Sequence, residues 1–136
     1  MGQPIRVGIA GALGRMGRQV SAIVEAKAGL ALAARFDRPE LAGEGLTTLE
    51  AALASCDVVV DFTVASASAA LATRAAAAGR PALVIGSTGW TPQEDAAVAA
   101  AAERIAIVRS SNFSLGVNVL MGLVARASSL DRARPR

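Results

Sequence analysis

Five short apolar runs alternate with helical patterns along this chain, and that alternation limits the folds open to it more than any other feature. Each run is rich in aliphatic or β-branched residues and bounded by turn or polar residues, which is typical of strands buried on both faces of a parallel sheet. The runs are IRVGIA (5–10), LALAARF (30–36), DVVVDF (57–62), ALVIG (82–86) and IAIV (105–108). Strands that alternate with helices favour right-handed crossovers, so we predict a single α/β domain, a doubly wound (Rossmann-type) parallel sheet with flanking helices.

Helical patterns lie between the runs, at residues 15–27, 47–55, 65–78 and 91–103. The last has a clear start signal, because Thr91 stands at the N-cap and Pro92 at the first helical position. Gly79 is placed to end the third helix. The alanine-rich run 30–36 leaves an alternative open, since alanine is a poor strand former and the run could extend the preceding helix.

The composition argues against several classes of partner. Of the 136 residues, 53% are hydrophobic and 3% aromatic, and the net charge is +3. The basic residues are scattered and form no basic face of the kind that nucleic-acid binding needs. No uninterrupted apolar stretch reaches the ~18 residues of a membrane span. We therefore expect a cytoplasmic protein with neither nucleic acid nor membrane as a partner, and a solvated basic tail at residues 131–136.

The chain contains one cysteine and no histidine. Cys56 lies beside an apolar run and is predicted to be a buried, inert thiol. Without histidine the chain has no Ser–His or Cys–His mechanism and no histidine metal site. We therefore predict no metal site within it.

Three glycines follow the first predicted strand and open the first predicted helix, in the stretch GIAGALGRMG at residues 8–17. In this context Gly11 permits a tight turn, Gly14 lets backbone N–H groups approach a pyrophosphate, and Gly17 lets the helix pack close to the strand. The N-terminus of the helix also favours phosphate, through its unpaired N–H groups and its dipole. The spacing is a variant of the dinucleotide fingerprint, and a purely structural turn is the alternative.

The carboxyl ends of the other predicted strands are polar or rich in glycine. In a parallel sheet these ends share one edge, where ligands bind. Asp37, after the second strand, is placed to accept the hydroxyls of an adenosine ribose, and Arg38 to pair with a 2′-phosphate; the alternative is a solvated acid–base pair. The later ends are DFT (61–63), GSTGW (86–90) and SSNFS (110–114). Phe62 and Phe113 at these tips predict a stacked ring or a covering domain, or alternatively loop anchors.

Four segments together carry a resemblance to a known family: VGIAGALGRMGRQV, DFT, IGSTGW and SSNFSLGVNVL. The chain resembles, from residue 5 to about residue 130, the N-terminal domain of the 4-hydroxy-tetrahydrodipicolinate reductase (dihydrodipicolinate reductase) family of bacterial lysine biosynthesis. The resemblance implies a hydride transfer from NADH or NADPH to a cyclic dicarboxylate. It implies that the cofactor is bound by Gly11, Ala12, Leu13, Gly14, Arg15, Met16, Asp37, Arg38, Phe62, Thr63, Gly86, Ser87, Thr88, Ser110, Ser111, Asn112 and Phe113.

Within that set the resemblance places the pyrophosphate at residues 11–16, with Arg15 beside it, and the adenosine ribose at Asp37 and Arg38. The residues after the fourth and fifth strands would lie along the nicotinamide half. Two mild departures fall there. Ser87 stands where the family usually has threonine, and the serines 110 and 111 stand where it often has alanine.

The resemblance also implies groups that this sequence does not contain. The family has a second domain with a His-His motif, a general-acid lysine and a P-S-G-T loop, whereas the only lysine here is Lys27 on the first predicted helix. The resemblance therefore implies no catalytic residue in this chain, and we expect residues 1–130 to be the dinucleotide-binding domain of a truncated chain that is inactive alone. The alternatives are a stand-alone dinucleotide-binding or redox-sensing module and a non-functional remnant of the fold.

A final helical pattern covers residues 115–130. It carries apolar residues at helical spacing, among them Leu115, Val119, Leu120, Leu123 and Val124. Because nothing else in the chain is predicted to cover this side, we expect a homo-oligomer that forms through this helix.

Overall fold

The computed structural model describes residues 2–41, 43 and 45–132, with side chains described as far as residue 126. Strands and helices alternate as the apolar runs predict. In chain order the elements are β1 (Ile5–Ala10), α1 (Arg15–Ala26), β2 (Leu30–Phe36), a short 3-10 turn (Pro39–Leu41), α2 (Leu49–Ser55), β3 (Val58–Asp61), α3 (Ala65–Ala78), β4 (Ala82–Ile85), α4 (Pro92–Ala102), β5 (Ile107–Arg109) and α5 (Leu115–Arg132). The alanine-rich run 30–36 is a strand and does not extend α1.

The five strands form one parallel sheet in the order β2-β1-β3-β4-β5. The chain passes from β1 outward to β2, then crosses back over β1 to β3 and continues toward the other edge. The strand order therefore reverses between β1 and β3, and a doubly wound sheet leaves a crevice at the carboxyl ends of the strands at such a point. The predicted fold class is confirmed.

Helices cover both faces of the sheet. On one face Val7 and Ile9 of β1 pack with Val24 of α1. On the other face lies the larger core, where strand residues such as Val59 and Leu83 meet α2, α3 and α4. Because β1 and β3 contribute side chains to both cores, apolar residues occur at consecutive positions in these strands and do not alternate with polar ones.

Local signals in the sequence account for several helix ends. Thr91 and Glu94 form a capping box at the start of α4: Glu94 N–H donates to Thr91 Oγ1, and Thr91 N–H donates to Glu94 Oε2. Thr48 caps α2 by accepting from the backbone N–H of Ala51. Gly79 ends α3 as predicted.

The bounds of β3, β4 and β5 differ from those of the apolar runs by one or two residues, and β4 ends at Ile85, before Gly86. β3 ends at Asp61, so Phe62 already belongs to the loop at the edge of the sheet. β5 begins at Ile107. The apolar residue Ile105 precedes β5, and its side chain is buried in the larger core. Its backbone N–H donates to Ala101 O in the turn after α4.

The last helix presents its apolar side chains to solvent. Leu115 is 79% exposed and Leu120 is 59% exposed, and the other apolar residues of α5 up to Val124 are exposed as well. Within the described residues, no helix combines the length and the apolarity that crossing a lipid bilayer requires. The predicted basic tail begins inside α5, which reaches Arg132, and residues 133–136 lie outside the described part of the chain.

Candidate functional site

The polar strand ends gather on one edge of the sheet. A Cβ atom placed on Gly11, after β1, would lie 2.8 Å from Cγ2 of Thr63, after β3. The ring of Phe62 lies against Gly86, after β4, and meets the ring of Phe113 edge to face with centroids 6.0 Å apart. These contacts link four of the five strand ends along this edge. Phe62 and Phe113 contact each other there, and Phe113 remains 44% exposed.

The glycine loop, residues 11–17, joins β1 to α1 by close backbone contacts. Gly11 has a φ of 70°, a left-handed conformation that favours glycine. Its carbonyl accepts from Gly14 N–H over 3.0 Å. A Cβ on Gly17 would lie only 2.1 Å from Gly11 O, so α1 approaches the loop more closely than any side chain would allow. Gly11 thus forms the tight turn, and Gly17 lets α1 pack close to the end of β1, as predicted.

The N-terminus of α1 opens toward solvent at this loop. Gly14 is its N-cap, and no side chain in the described part of the molecule caps it. The first N–H group bonded within the helix is that of Arg18, which donates to Gly14 O. The N–H groups of the first turn therefore lack intrahelical acceptors, and together with the helix dipole they favour an anion. Gly14, Arg15 and Met16 are all exposed around this point.

Asp37 braces the glycine loop from the end of β2. Its Oδ2 accepts from Leu13 N–H over 2.9 Å, and its Oδ1 accepts from Arg38 N–H over 2.9 Å. Arg18 holds the loop from the other side, because its Nε donates to Leu13 O over 2.9 Å. The sequence analysis did not identify this role of Arg18. Each carboxylate oxygen of Asp37 keeps further acceptor capacity, so a ribose hydroxyl remains an available partner.

A cleft of about 1020 Å³, here called the larger cleft, opens at the ends of β1, β2 and β3. It brings together seven of the predicted residues: Gly11, Leu13, Gly14, Asp37, Arg38, Phe62 and Thr63. Its far wall was not predicted, because it comes from α2, α3 and the turn after β2, for example Leu49, Leu71 and Arg74. Arg74 forms an ion pair with Glu50 and so ties α3 to α2 beside this cleft.

A second cleft of about 330 Å³, the smaller cleft, lies at the ends of β4 and β5. It contains four predicted residues, Ser87, Thr88, Ser110 and Ser111, and four that were not predicted, Gly89, Trp90, Asp95 and Arg109. The guanidinium of Arg109 stacks 4.8 Å from the Trp90 ring centre and donates to Asp95 Oδ1 over 2.6 Å. Trp90 Nε1–H donates to Ser87 O over 3.0 Å. These bonds form one rigid wall of the smaller cleft.

The remaining predicted residues line neither cleft. Ala12 is fully buried, and its N–H donates to Phe36 O. Neither its side chain nor its N–H is therefore available to a ligand at the edge of the sheet. Arg15 and Met16 are on the exposed first turn of α1. Asn112 is held within its own turn, since its N–H donates to Ser110 Oγ and its Oδ1 accepts from Ser114 N–H. Gly86 lies under Phe62.

A buried set of polar side chains lies between the two clefts. Asp61 is fully buried, and its Oδ1 accepts from both the N–H and the Oγ1–H of Thr63. Ser68, in the first turn of α3, is also fully buried and lies 2.7 Å from Ser87 Oγ. Ser68 was not predicted, because a serine in an alanine-rich helix gives no signal of what it faces.

Two titratable groups away from this edge have shifted pKa values. Burial raises the pKa of the Cys56 thiol, which lies in the core as predicted. Arg6 lowers the pKa of Asp57 to about 2, because both its guanidinium and its backbone N–H donate hydrogen bonds to the Asp57 carboxylate. No group of three Cys, Asp or Glu side chains within the described ranges is arranged to hold a metal ion.

A doubly wound parallel sheet with a glycine turn, an uncapped helix N-terminus and a cleft at its switch point defines a Rossmann-like nucleotide-binding domain. Comparison with known proteins agrees. The family model described as "Dihydrodipicolinate reductase, N-terminus" matches residues 5–113. The chain therefore belongs to the dihydrodipicolinate reductase N-terminal family, as its motifs predicted.

Two curated relatives show the extent of the similarity. The 4-hydroxy-tetrahydrodipicolinate reductase of Caulobacter vibrioides is 55% identical over 129 residues, which are 95% of this chain and 50% of the relative. That of Anaeromyxobacter sp. (strain Fw109-5) is 45% identical over 140 residues, 93% of this chain and 52% of the relative. The chain thus spans about half the length of these relatives.

Solved structures share the fold. A dipicolinate-bound dihydrodipicolinate reductase from Paenisporosarcina sp. TG-14 superposes with a TM-score of 0.73 at 22% identity, over 93% of this chain and 54% of that one. An NAD-binding protein from Listeria innocua superposes with a TM-score of 0.61 at 25% identity, over 81% of this chain and 36% of that one.

Proposed function

We propose that this chain is the cofactor-binding part of a 4-hydroxy-tetrahydrodipicolinate reductase and that it binds NADH or NADPH. The observation that carries the proposal is the glycine loop: its backbone packs too closely for side chains at Gly17, and it ends in an open helix N-terminus beside the larger cleft. Such a cradle suits a pyrophosphate. When bound, the cofactor would supply a hydride from its nicotinamide ring for reduction of a cyclic dicarboxylate in the whole enzyme.

The two clefts suggest how the dinucleotide lies along the edge of the sheet. The pyrophosphate fits the glycine loop and the start of α1, near Arg15 and Met16. The adenosine half fits the larger cleft, with its ribose at Asp37 and Arg38. The nicotinamide half extends past Phe62 toward the smaller cleft, and Asn112 and Phe113 follow Ser110 and Ser111 of that cleft in the chain. The fold supports this order, because the larger cleft is beside β2 and the smaller one beside β5.

Calorimetric titration of the folded chain with NADH and with NADPH tests the proposal directly. We expect both cofactors to bind with millimolar or lower Kd. A folded sample that binds neither cofactor at these concentrations would refute it. Gly14→Ala is the matched variant, because a Cβ there would enter the exposed cradle and would meet only Gly11 O, at 3.3 Å. This variant is expected to fold and to bind both cofactors more weakly.

Variants at the end of β2 test where the ribose lies. Arg38→Ala is expected to weaken NADPH about tenfold and NADH little, since a guanidinium pairs with a 2′-phosphate. Asp37→Ala is expected to weaken mainly NADH, with an added loss common to both cofactors because Leu13 N–H loses its acceptor. Asp37→Asn keeps an acceptor for Leu13 and separates the two effects. Equal losses of both cofactors in the Arg38 and Asp37 variants would contradict the assignment.

We further propose that this chain alone does not turn over the substrate. Reduction of a ring dicarboxylate needs cations that hold the carboxylates and an acid that protonates the ring. The arginines that line the two clefts are Arg38, Arg74 and Arg109, and no described lysine lines either one. Arg74 is already paired with Glu50 and Arg109 with Asp95, and Arg38 is assigned here to the adenosine ribose. The assay follows oxidation of the nicotinamide cofactor by its change in ultraviolet absorbance, with the cyclic dicarboxylate present. Turnover well above the rate without protein would overturn this statement.

We also propose that the chain self-associates through α5. The exposed apolar side chains along this helix, such as Leu120 (59%) and Leu123 (59%), form a patch that another copy would cover. Sedimentation of the purified chain should show a dimer or a larger species, and Leu120→Ser with Leu123→Ser should shift it to monomer. A wild-type chain that sediments only as monomer would refute the proposal.

A further inference from the structure

The buried polar side chains between the two clefts form a continuous chain of hydrogen bonds. Thr63 Oγ1–H donates to Asp61 Oδ1 over 2.6 Å. Thr63 Oγ1 lies 3.4 Å from Ser68 Oγ, and Ser68 Oγ lies 2.7 Å from Ser87 Oγ. Thr63 lines the larger cleft, whereas Ser87 lines the smaller one. Ser68, on α3, therefore connects a residue of each cleft.

The number of hydrogens sets the direction of this chain. Each hydroxyl carries one hydrogen and can accept two hydrogen bonds. The hydrogen of Thr63 is committed to Asp61, so at the contact between Thr63 and Ser68 only Ser68 has a hydrogen to donate. With Ser68 donating to Thr63, Ser87 is the donor in the bond between Ser68 and Ser87, which is one of the two directions that the 2.7 Å distance allows. This is the arrangement in which all three buried hydrogens reach an acceptor.

The acceptor at the end of the chain suits this direction. Asp61 is fully buried, and its Oδ1 takes two donors from Thr63. Its Oδ2 has no donor among the residues that the structure describes. A buried carboxyl group that is short of donors holds the Thr63 hydrogen strongly and keeps it from turning toward the cleft.

We propose that this chain makes Ser87 a hydrogen-bond acceptor toward the smaller cleft, so that the group bound beside it is an N–H donor, the primary carboxamide on the pyridine ring of the cofactor. The inference rests on the proposed function and deepens it. Ser87 is 5% exposed and lies 2.7 Å from Ser68 Oγ. In the direction inferred above its hydroxyl hydrogen is used toward Ser68, which leaves lone pairs for a ligand. An amide –NH2 satisfies them, whereas a methyl ketone in the same position offers no hydrogen. Ser68 is then a positioning residue that acts through Ser87.

The test compares NAD⁺ with its 3-acetylpyridine analogue, in which a methyl group replaces the –NH2 group. Calorimetry with the wild-type chain should show NAD⁺ binding about threefold to tenfold more tightly, as expected for one hydrogen bond. Ser87→Ala should bring the ratio of the two affinities close to one. In Ser68→Ala the Ser87 hydrogen loses its acceptor and is free to turn into the cleft, so the ratio should fall to one or reverse.

The ratio separates this role from a structural one. A substitution that only loosened the fold would weaken both ligands by the same factor and leave the ratio unchanged. Ser66→Ala is the matched control, because Ser66 is exposed on the same turn of α3 and lines neither cleft. Its ratio should equal that of the wild type, and thermal melting of each variant verifies folding.

Each outcome decides one level of the inference. Equal binding of the two ligands by the wild-type chain would refute the polarity of Ser87 and leave the proposed function standing. An unchanged ratio in Ser68→Ala would refute the role of Ser68. Failure of the wild-type chain to bind either ligand in a folded sample that does bind NADH or NADPH would refute this inference alone. Failure to bind any of the four would refute the proposed function and this inference together. If Ser68→Ala does not fold, the ratios of the wild type and of Ser87→Ala still decide the polarity.

Discussion

The close approach of α1 to the glycine loop predicts the effect of adding one methyl group. In Gly17→Ala the new Cβ would lie 2.1 Å from Gly11 O and 2.8 Å from Ala12 Cα, far inside the 3.4 Å at which ordinary contact begins. Both neighbours are backbone atoms and have no rotamer to change. The overlap is relieved only if α1 moves away from β1, by roughly 1 Å, a gap that already forfeits a quarter to a half of the dispersion energy of each contact.

The magnitude follows from two opposing terms. Overpacking of this kind costs about 1–3 kcal/mol, and the shift would also separate Val24 from Ile9 in the core under α1, which places the cost at the upper end. Replacing glycine by alanine in a helix returns up to about 1 kcal/mol. The free energy of unfolding should fall by about 2 kcal/mol, and Tm by roughly 8 °C for a domain of this size.

Thermal and urea denaturation followed by circular dichroism measure this loss. Gly122→Ala is the matched control, because a Cβ there meets nothing within 4 Å on the exposed α5, and the substitution should stabilise that helix by about 0.5–1 kcal/mol. A Gly17→Ala protein as stable as the wild type would refute the packing argument. It would mean that α1 does not approach β1 as closely as the loop geometry requires.

Three further predictions concern single groups. Arg6 holds the pKa of Asp57 at about 2, below its ordinary value of 3.8. The stability that this ion pair contributes to the fold is therefore complete above pH 3.8 and is lost as the pH falls through about 2. In an acid titration the free energy of unfolding of Asp57→Asn should change less over that interval than that of the wild type. Cys56 is fully buried with a raised pKa, so it should react with a thiol reagent only in denaturant, and labelling of the folded chain would contradict its burial. Trp90 is the only tryptophan of the chain and lines the smaller cleft, so NADH should quench its fluorescence whereas ADP should not; equal quenching by both would place the nicotinamide elsewhere.

Much of the fold was predictable from the sequence because its signals are local. The strands β1 and β2 have the predicted bounds, and the capping box of α4 involves only residues between Thr91 and Glu94. The glycine loop was predictable for the same reason, since Gly11 and Gly17 lie on either side of one turn. The family was predictable as well, because four short motifs identify it and the family model matches residues 5–113.

The site was predictable only in part. That the strand ends share an edge follows from a parallel sheet, so Asp37 and Thr63 were correctly expected near the glycine loop. The use of Asp37 as an acceptor for Leu13 N–H was not expected, because the two residues are 24 apart in sequence and their contact depends on the pairing of β1 with β2. Arg74, which forms part of the far wall, was missed for a similar reason.

The sequence by itself determined which segments become strands and helices, because periodicity, caps and glycine spacing act over a few residues. Only the tertiary structure decided the strand order, the division of the edge into two clefts, and the meeting of Ser68 with Ser87. The physical reason is that a hydroxyl on an alanine-rich helix has no preferred partner until packing buries it. Once buried, it must bond to whatever acceptor or donor the neighbouring strand brings within reach.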